Sequence, residues 1–303
     1  MNEVYITVEE NGFSGYFCQG LDNSFYPVII IGGTEGRIHY KYAELLSSNY
    51  VTSLAVGYFD LPHINKHLEY ISLEYFLKAI EWLKRKTNQE KVIIIGYSHG
   101  AQIALLLGSY FPELFHKIVC FSPILYLLGG FPYVNRPAWK YKETPIKFVK
   151  GLFSEQEDLL LTDDLKNSIK VKKIPFRENT KEDPYILRDL FDAMLEQCSF
   201  LDDVRIKVEL IECPVLLFSG KNDAIWHSSL YARNICQLID AKDRYQEVIH
   251  IEYENVGHGI FESFTGGVFC RLGEFWCTLG GNAQENDDAE KDAWKKTINF
   301  IKN

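Results

Sequence analysis

Short apolar runs alternate along the chain with stretches whose apolar residues recur at helical spacing. The runs are continuous rather than alternating, which is typical of buried strands that are covered on both faces. Between two of them, Leu73, Phe76, Leu77 and Ile80 follow i, i+3, i+4, i+7 spacing and predict an amphipathic helix. This order predicts an α/β fold with a mostly parallel central sheet and helices on both faces. The predicted strands are residues 27–33, 51–58, 91–98, 117–123, 214–220 and 247–253.

The segment before the first of these runs has a different pattern. Residues 4–18 alternate apolar and polar positions and contain the dipeptide Asn11-Gly12, a turn signal. This pattern predicts an antiparallel hairpin at the edge of the sheet.

The alternation of strands and helices is lost in the middle of the chain, over residues 124–205. Loop-like sequence there is followed by helical pieces such as residues 183–198. We interpret residues 124–205 as a cap inserted into an α/β core that consists of residues 1–123 and 206–303. Three aromatic side chains of this cap are candidates for the lining of a pocket: Phe131, Tyr133 and Trp139.

A candidate nucleophile lies where the third predicted strand meets the helix that follows it. The sequence there is Gly96-Tyr97-Ser98-His99-Gly100, a G-x-S-x-G motif in a strand, turn, helix context. Glycine is needed two residues before and after the serine, because side chains at those positions would collide with the strand and the helix. The motif predicts an α/β-hydrolase fold with Ser98 as nucleophile, against the alternative of an ordinary glycine-rich loop.

A serine nucleophile in this fold needs an acid and a base that follow it in the order Ser, Asp or Glu, His. Asp223 follows the predicted strand at 214–220, and His258 follows the one at 247–253. Taken singly, Asp223 could be a helix N-cap and His258 a loop histidine. Their order and their positions at strand ends favour a Ser98–His258–Asp223 triad.

The oxyanion of an acyl-transfer intermediate needs two backbone N–H donors, one of them from the residue after the nucleophile. His99 is that residue. The loop Gly32–Gly36 follows the first long strand, and Thr34 or Gly33 is the candidate for the second donor. A phosphate-binding loop is the alternative, but the loop has neither the G-K-[ST] nor the G-x-G-x-x-G pattern.

Charge and composition exclude several classes of protein. The 303 residues carry 32 Lys and Arg against 41 Asp and Glu, a net charge of −9, which opposes binding to nucleic acids and anionic membranes. We expect no membrane span, since no apolar run reaches about 18 residues. Seven cysteines without a C-x-x-C pair favour neither disulfides nor a zinc site, and the acidic first residues lack the pattern of a signal peptide. We therefore expect a cytoplasmic protein without a metal or cofactor.

Several longer segments together carry a family resemblance: residues 32–46, 73–83, 137–146, 205–228, 253–260 and 280–300. They resemble the C-terminal α/β-hydrolase domain of one family, the acyl-CoA thioester hydrolases and bile acid-CoA:amino acid N-acyltransferases. Asn222 replaces the first of the family's two paired aspartates, so the resemblance assigns the acid to Asp223. The family's thioesterases use serine where its acyltransferases use cysteine, so Ser98 implies hydrolysis.

The resemblance implies an acyl-CoA thioesterase that works through an acyl-serine intermediate, with coenzyme A as part of the substrate and not a cofactor. A carboxylesterase or dienelactone-hydrolase-like enzyme would use the same three residues on oxygen esters. An acyl-CoA:amine acyltransferase and a catalytically silent binding protein of the same fold are further alternatives. The sequence predicts neither the acyl chain nor the oligomeric state.

Overall fold

Eight strands form one central sheet in the computed structural model, which describes residues 3–152, 156–170, 179–241, 247–261, 267–272 and 275–303. Five neighbouring pairs in this sheet are parallel, and only the two pairs at its N-terminal edge are antiparallel. The predicted fold class is therefore confirmed. The sheet strands are β1 Glu3–Ile6, β2 Ser14–Cys18, β3 Val28–Ile31, β4 Ser53–Gly57, β6 Val92–Tyr97, β7 Phe115–Phe121, β10 Val215–Gly220 and β11 Val248–Tyr253, in the spatial order β1-β2-β4-β3-β6-β7-β10-β11.

Successive residues of the central strands enter two separate hydrophobic cores, one on each face of the sheet. In β3, Ile29 and Ile31 belong to one core, and Val28 and Ile30 to the other. This two-sided burial explains why the strands are continuously apolar in sequence. The helices are α1 Val8–Asn11, α2 Tyr40–Ser48, α3 Leu73–Thr87, α4 His99–Tyr110, α5 Leu161–Lys170, α6 Arg188–Gln197, α7 Ser228–Asp240 and α8 Ala283–Lys302.

Helices pack on both faces of the sheet, as predicted. Buried side chains of α3, α4 and α7 contribute to the core that contains Ile29, and those of α2 and α8 to the core that contains Val28. The side chain of Ser72 caps α3 by accepting a hydrogen bond from the N–H of Glu74. In the same way Asn282 caps α8 by accepting from the N–H of Glu285.

The N-terminal edge differs in detail from the predicted hairpin. Strands β1 and β2 do pair antiparallel at the edge of the sheet. The Asn11-Gly12 dipeptide, however, ends the short helix α1, where Gly12 takes the left-handed conformation with φ of 75°. Asn-Gly at a left-handed position suits a helix C-terminus as well as a hairpin turn, so the pattern could not distinguish the two.

The described residues between β7 and β10 lie outside the central sheet. It includes β8 Trp139–Tyr141 and β9 Thr144–Pro145, which form a small sheet with β5 Ile71–Ser72. Gln102 of α4 connects this part to the core, because it accepts a hydrogen bond from the Trp139 indole and donates one to the Tyr126 carbonyl. The division into a core and a cap at residues 124–205 stays a prediction. A separate hairpin follows β11, made of β12 Phe269–Leu272 and β13 Phe275–Thr278.

Candidate active site

Ser98 lies at the sharp turn between β6 and α4. Its backbone has φ of 55° and ψ of −120°, an energetically unfavourable region for a residue with a side chain. A Cβ atom added to Gly96 would lie 2.1 Å from the carbonyl oxygen of Gly100, and one added to Gly100 would lie 2.2 Å from that of Ile31. Only glycine therefore fits on either side, and the strained turn holds the serine at the end of the sheet.

The structure brings the three residues predicted as a triad into one hydrogen-bonded chain. His258 Nε2 lies 3.0 Å from Ser98 Oγ, and His258 Nδ1 lies 2.9 Å from Asp223 Oδ2. All three residues are at least 94% buried. A hydroxyl, an imidazole and a carboxylate in this order can activate the hydroxyl oxygen as a nucleophile.

The carboxylate of Asp223 is held by the start of the segment that leads into α7. One of its oxygens, Oδ1, accepts hydrogen bonds from the backbone N–H groups of Ile225 at 2.9 Å and Trp226 at 3.1 Å. The other oxygen, Oδ2, is left to face His258. The backbone thus fixes which carboxylate oxygen the imidazole meets.

The position of His258 is set by both its backbone and its ring. Its N–H donates to the Leu279 carbonyl at 2.6 Å, and its carbonyl accepts from the Ser122 hydroxyl at 3.1 Å. The ring lies edge-on to Trp226, with 4.8 Å between centroids, and 5.3 Å from the ring of Tyr97. These contacts leave the imidazole little freedom to turn away from Ser98.

The loop that follows β11 and carries His258 is connected to α8 by the buried side chain of Asn286. Its Oδ1 accepts from the N–H of Gly257 at 2.9 Å, and its Nδ2 donates to the carbonyls of Gly267 at 2.8 Å and Gly280 at 3.1 Å. Asn286 is fully buried. Satisfied polar groups at such a site order the backbone around them.

The glycine loop after β3 lies against the nucleophile, since a Cβ atom on Gly33 would be 2.9 Å from the Cβ of Ser98. The N–H of Gly33 donates to Glu35 Oε1 at 2.8 Å, and the Tyr58 hydroxyl donates to the Gly33 carbonyl. The peptide N–H of Gly33 is therefore engaged within the loop. Thr34, the other candidate donor, lines the cavity beside Ser98.

Glu35 belongs to this same loop, and its carboxylate was not predicted to take part in the site. Burial acts to raise the pKa of its carboxyl, but hydrogen bonds from His39 and from the N–H of Gly33 outweigh burial and lower the pKa below its ordinary value. The carboxylate is thus charged at neutral pH. No sequence motif predicts that Glu35 accepts a hydrogen bond from the N–H of Gly33, because this contact depends on how the loop folds.

His99, the residue after the nucleophile, is the predicted donor of the first oxyanion N–H. It is the first residue of α4, where backbone N–H groups point out of the helix. Its side chain is buried against Trp226, and within the described residues its Nδ1 atom has no hydrogen-bond partner. Burial and then the neighbouring His258 lower the pKa of His99 to about 4, so its imidazole is neutral at pH 7.

A cavity of about 420 Å³ opens beside the Ser98 hydroxyl. Of the aromatic residues expected to line a pocket, Phe131 does so. Trp139 lies instead in the core, where it bonds Gln102, and the ring of Tyr133 packs against the Arg136 guanidinium. Apolar side chains from distant parts of the chain form most of the wall: Phe131, Leu161, Leu187, Phe191, Ile225, Trp226, Phe269, Leu272 and Leu279.

Neither a metal centre nor a membrane span is found in the part of the chain that the structure describes. No three His, Cys, Asp or Glu side chains of those residues are grouped so that they could hold a metal ion. None of the described helices combines the length and the apolar character that crossing a bilayer requires.

A family model described as the C-terminal part of BAAT and acyl-CoA thioester hydrolases matches residues 71–303. The chain belongs to this family. The match contains Ser98, Asp223 and His258 and begins after the glycine loop. The resemblance noted from separate segments of the sequence is thereby confirmed.

Curated members of the family resemble the chain over most of its length at low identity. Acyl-coenzyme A thioesterase 1 of Homo sapiens is 25% identical over 288 residues, which is 91% of this chain and 59% of that protein. The peroxisomal succinyl-coenzyme A thioesterase of Mus musculus is 22% identical over 289 residues, with the same two coverages. The chain thus spans about three-fifths of the length of these relatives.

Solved structures agree with the fold. A carboxylesterase structure from Nitrososphaera gargenis has a TM-score of 0.50 and 14% identity, covering 98% of this chain and 97% of the other. A CIB-like hydrolase from Thermoplasma acidophilum has a TM-score of 0.50 and 12% identity, covering 99% and 97%. At such identity these likenesses establish the α/β-hydrolase fold alone.

Proposed function

We propose that the chain is a serine hydrolase that cleaves acyl thioesters, with acyl-CoA as the substrate. The observation that carries this proposal is the hydrogen-bonded chain Ser98–His258–Asp223 at the wall of an apolar cavity, in a member of a thioesterase family. An apolar cavity suits an acyl chain, and the three residues suit acyl transfer.

In the first half of the reaction, Ser98 Oγ attacks the thioester carbonyl carbon while His258 Nε2 takes the hydroxyl proton. Asp223 keeps the Nδ1 proton of the imidazole in place and stabilises the imidazolium. The N–H groups of His99 and Thr34 donate to the carbonyl oxygen as it gains negative charge. When the tetrahedral intermediate collapses, the C–S bond breaks and the imidazolium supplies a proton to the departing thiolate.

The second half of the reaction releases the acyl group from the enzyme. Neutral His258 takes a proton from a water molecule, whose oxygen attacks the acyl-serine carbonyl. The same two N–H groups stabilise the second oxyanion. Collapse breaks the bond to Ser98 Oγ, which regains its proton from His258, and the free acid leaves. Water is the only co-reactant.

The test is free-thiol release from acyl-CoAs of short, medium and long chain by the wild type and Ser98→Ala. Loss of the nucleophile of an acting triad costs about 10⁴-fold or more in kcat, so Ser98→Ala should be inactive. Ser109→Ala, in the helix α4 that follows Ser98, is a matched control, because among the described residues the Ser109 hydroxyl donates only to the Leu106 carbonyl.

Three results would count against the proposal. Thiol release by Ser98→Ala at the wild-type rate would exclude the acyl-serine. Turnover of p-nitrophenyl esters with no thiol release from any acyl-CoA would show an oxygen esterase. Diversion of product from free acid to an amide on addition of glycine or taurine would show an acyltransferase.

A further inference from the structure

One outer face of the β12–β13 hairpin combines positive charge with aromatic rings. Arg271 and Trp276 are directly opposite each other in the register of the two strands. The guanidinium carbon of Arg271 lies 4.7 Å from the centroid of the Trp276 ring. Phe269 is two residues before Arg271 and therefore on the same face. Lys181 extends over this face, with its ammonium 5.7 Å from the Trp276 ring and 5.6 Å from the Phe269 ring. We call these four residues the hairpin pad.

Hydrogen bonds from neighbouring residues hold the backbone of the hairpin pad in place. The Asn179 side chain bonds both the N–H of Trp276, at 2.7 Å, and its carbonyl, at 2.8 Å. Tyr185 donates its N–H to the same carbonyl and accepts from the N–H of Thr278. The opposite face of the hairpin is turned to the interior, where Leu272 is 5% exposed and Cys277 fully buried. The pad must therefore face outwards.

No carboxylate of the described residues forms an ion pair with the positive charges of the pad. Arg271 and Lys181 are both exposed. Among the ion pairs of the described residues, neither of them has a carboxylate partner, although the whole chain carries a net charge of −9. The contacts with Trp276 restrain both cations, which lowers the entropy lost when they bind an anion.

The pad is continuous with the cavity at Ser98. Phe269 and Arg271 belong both to the pad and to the cavity wall. Phe269 is 41% exposed, so its side chain is accessible to a planar ligand. A ligand that reaches the Ser98 hydroxyl at one end can thus place a flat ring and negative charges on the pad at its other end.

We propose that the hairpin pad binds a phosphorylated adenine nucleotide, the part of an acyl-CoA that is remote from the thioester. Phe269 stacks on the adenine, while Arg271 and Lys181 donate to phosphate oxygens. This inference rests on the proposed function, since it assigns the pad to the leaving group of that reaction. It makes the protein selective for CoA esters over thioesters that lack the nucleotide.

Turnover of two thioesters with the same acyl group tests this selectivity. One is the acyl-CoA, and the other is the S-acyl-N-acetylcysteamine, which has no nucleotide and no phosphate. Removing one exposed charged donor to a phosphate should weaken the binding of that phosphate about five- to tenfold. Lys181 lies outside the cavity wall, so Lys181→Gln should lower kcat/KM for the acyl-CoA by that factor and leave kcat/KM for the short thioester unchanged. Arg271 also lines the cavity, so Arg271→Gln should lower kcat/KM for the acyl-CoA by a factor about five- to tenfold larger than any change for the short thioester.

Lys302→Gln is the matched control. Its ammonium also lies over two rings, 5.4 Å from Phe25 and 5.6 Å from Tyr50, and Lys302 is not part of the cavity wall. It makes the same change in net charge as Lys181→Gln. We expect it to leave both substrates unaffected. An equal loss from Lys302→Gln and Lys181→Gln would overturn the proposal, because net charge alone would then explain the effect.

A binding measurement separates this inference from the proposed function. Calorimetric titration of coenzyme A into Ser98→Ala needs no turnover, and we expect an affinity that Arg271→Gln and Lys181→Gln, made in the Ser98→Ala background, weaken by about five- to tenfold. Binding that the two pad substitutions leave unchanged, or no binding at all, would overturn the pad. Absence of thioester turnover with pad-dependent binding of coenzyme A would overturn the proposed reaction and support the pad.

Discussion

Replacing Asp223 by Asn should abolish activity without unfolding the protein, and the structure gives the reason. Two backbone N–H groups, those of Ile225 and Trp226, donate to the carboxylate oxygen Oδ1. The asparagine amide has one acceptor oxygen, and it must stay there to avoid leaving those two donors unpaired. Its NH₂ group then faces His258 Nδ1, at the position that Oδ2 holds in the wild type.

An NH₂ donor beside Nδ1 reverses the tautomer of His258. Nδ1 must then accept a hydrogen bond, so the proton moves to Nε2, the atom that lies 3.0 Å from Ser98 Oγ. A protonated Nε2 cannot take the proton of the serine. The corresponding change in serine proteases lowers kcat about 10⁴-fold, and we expect a loss of that size, about 5 kcal/mol of transition-state stabilisation.

Thiol release from the acyl-CoA that the wild type turns over best is the assay, with circular dichroism to check folding. Asp192→Asn is the matched control, since Asp192 forms a comparable pair with a histidine, His227, at 3.0 Å and outside the cavity wall. The control should change kcat less than twofold. A folded Asp223→Asn variant with kcat within tenfold of the wild type would refute the tautomer argument.

Two further predictions concern the framework of the site, and a third concerns an ion pair outside it. Gly96→Ala should destabilise the fold by about 2–4 kcal/mol and remove activity, because its Cβ would lie 2.1 Å from the Gly100 carbonyl oxygen; urea unfolding measures this. Asn286→Ala should lower the free energy of unfolding by about 2–4 kcal/mol and lower kcat, since it removes three hydrogen bonds to the backbone around His258. An unchanged kcat would show that other contacts hold this loop in place. The hydrogen bond from Arg205 lowers the pKa of Glu209 to about 2, so the stability that it contributes is complete above about pH 4.5 and is lost as pH falls towards 2. Glu209→Gln should therefore lower the free energy of unfolding by about 1–2 kcal/mol at pH 7. The difference between variant and wild type, measured by urea unfolding, should become smaller as the pH is lowered to 3.

The sheet and the candidate triad could be predicted because both depend on patterns that are local in sequence. Continuous apolar runs identify buried strands, and Ser98 and Asp223 each follow such a run, while His258 follows the partly buried strand β11 at the sheet edge. In a parallel sheet the carboxyl ends of the strands meet at one edge, so residues distant in sequence come together without further information. The N-terminal pairing was predicted for the same reason, although the local helix at Asn11-Gly12 was not.

The walls of the site could not be predicted in this way. Trp139 and Phe131 are both aromatic and both lie in the segment interpreted as a cap, yet only Phe131 lines the cavity. The difference is the partner of Trp139, since its indole donates to the buried amide of Gln102 and so belongs to the core. Likewise, Arg271 and Trp276 acquire their role only from the pairing of two short strands. These contacts join residues that are brought together by the fold, so the spacing of residues along the sequence does not predict them.

The glycine loop shows how a tertiary contact narrows a choice that the sequence leaves open. Gly33 and Thr34 are equally placed in sequence to donate to an oxyanion. In the structure, the N–H of Gly33 donates to the ionised carboxylate of Glu35, and breaking that bond would leave a charge without one of its donors. A donor that must first be released from a carboxylate is a poor one for a transient oxyanion. Thr34 is therefore the better candidate donor, and Glu35 has a positioning role, since its carboxylate fixes the orientation of the Gly32–Gly33 peptide.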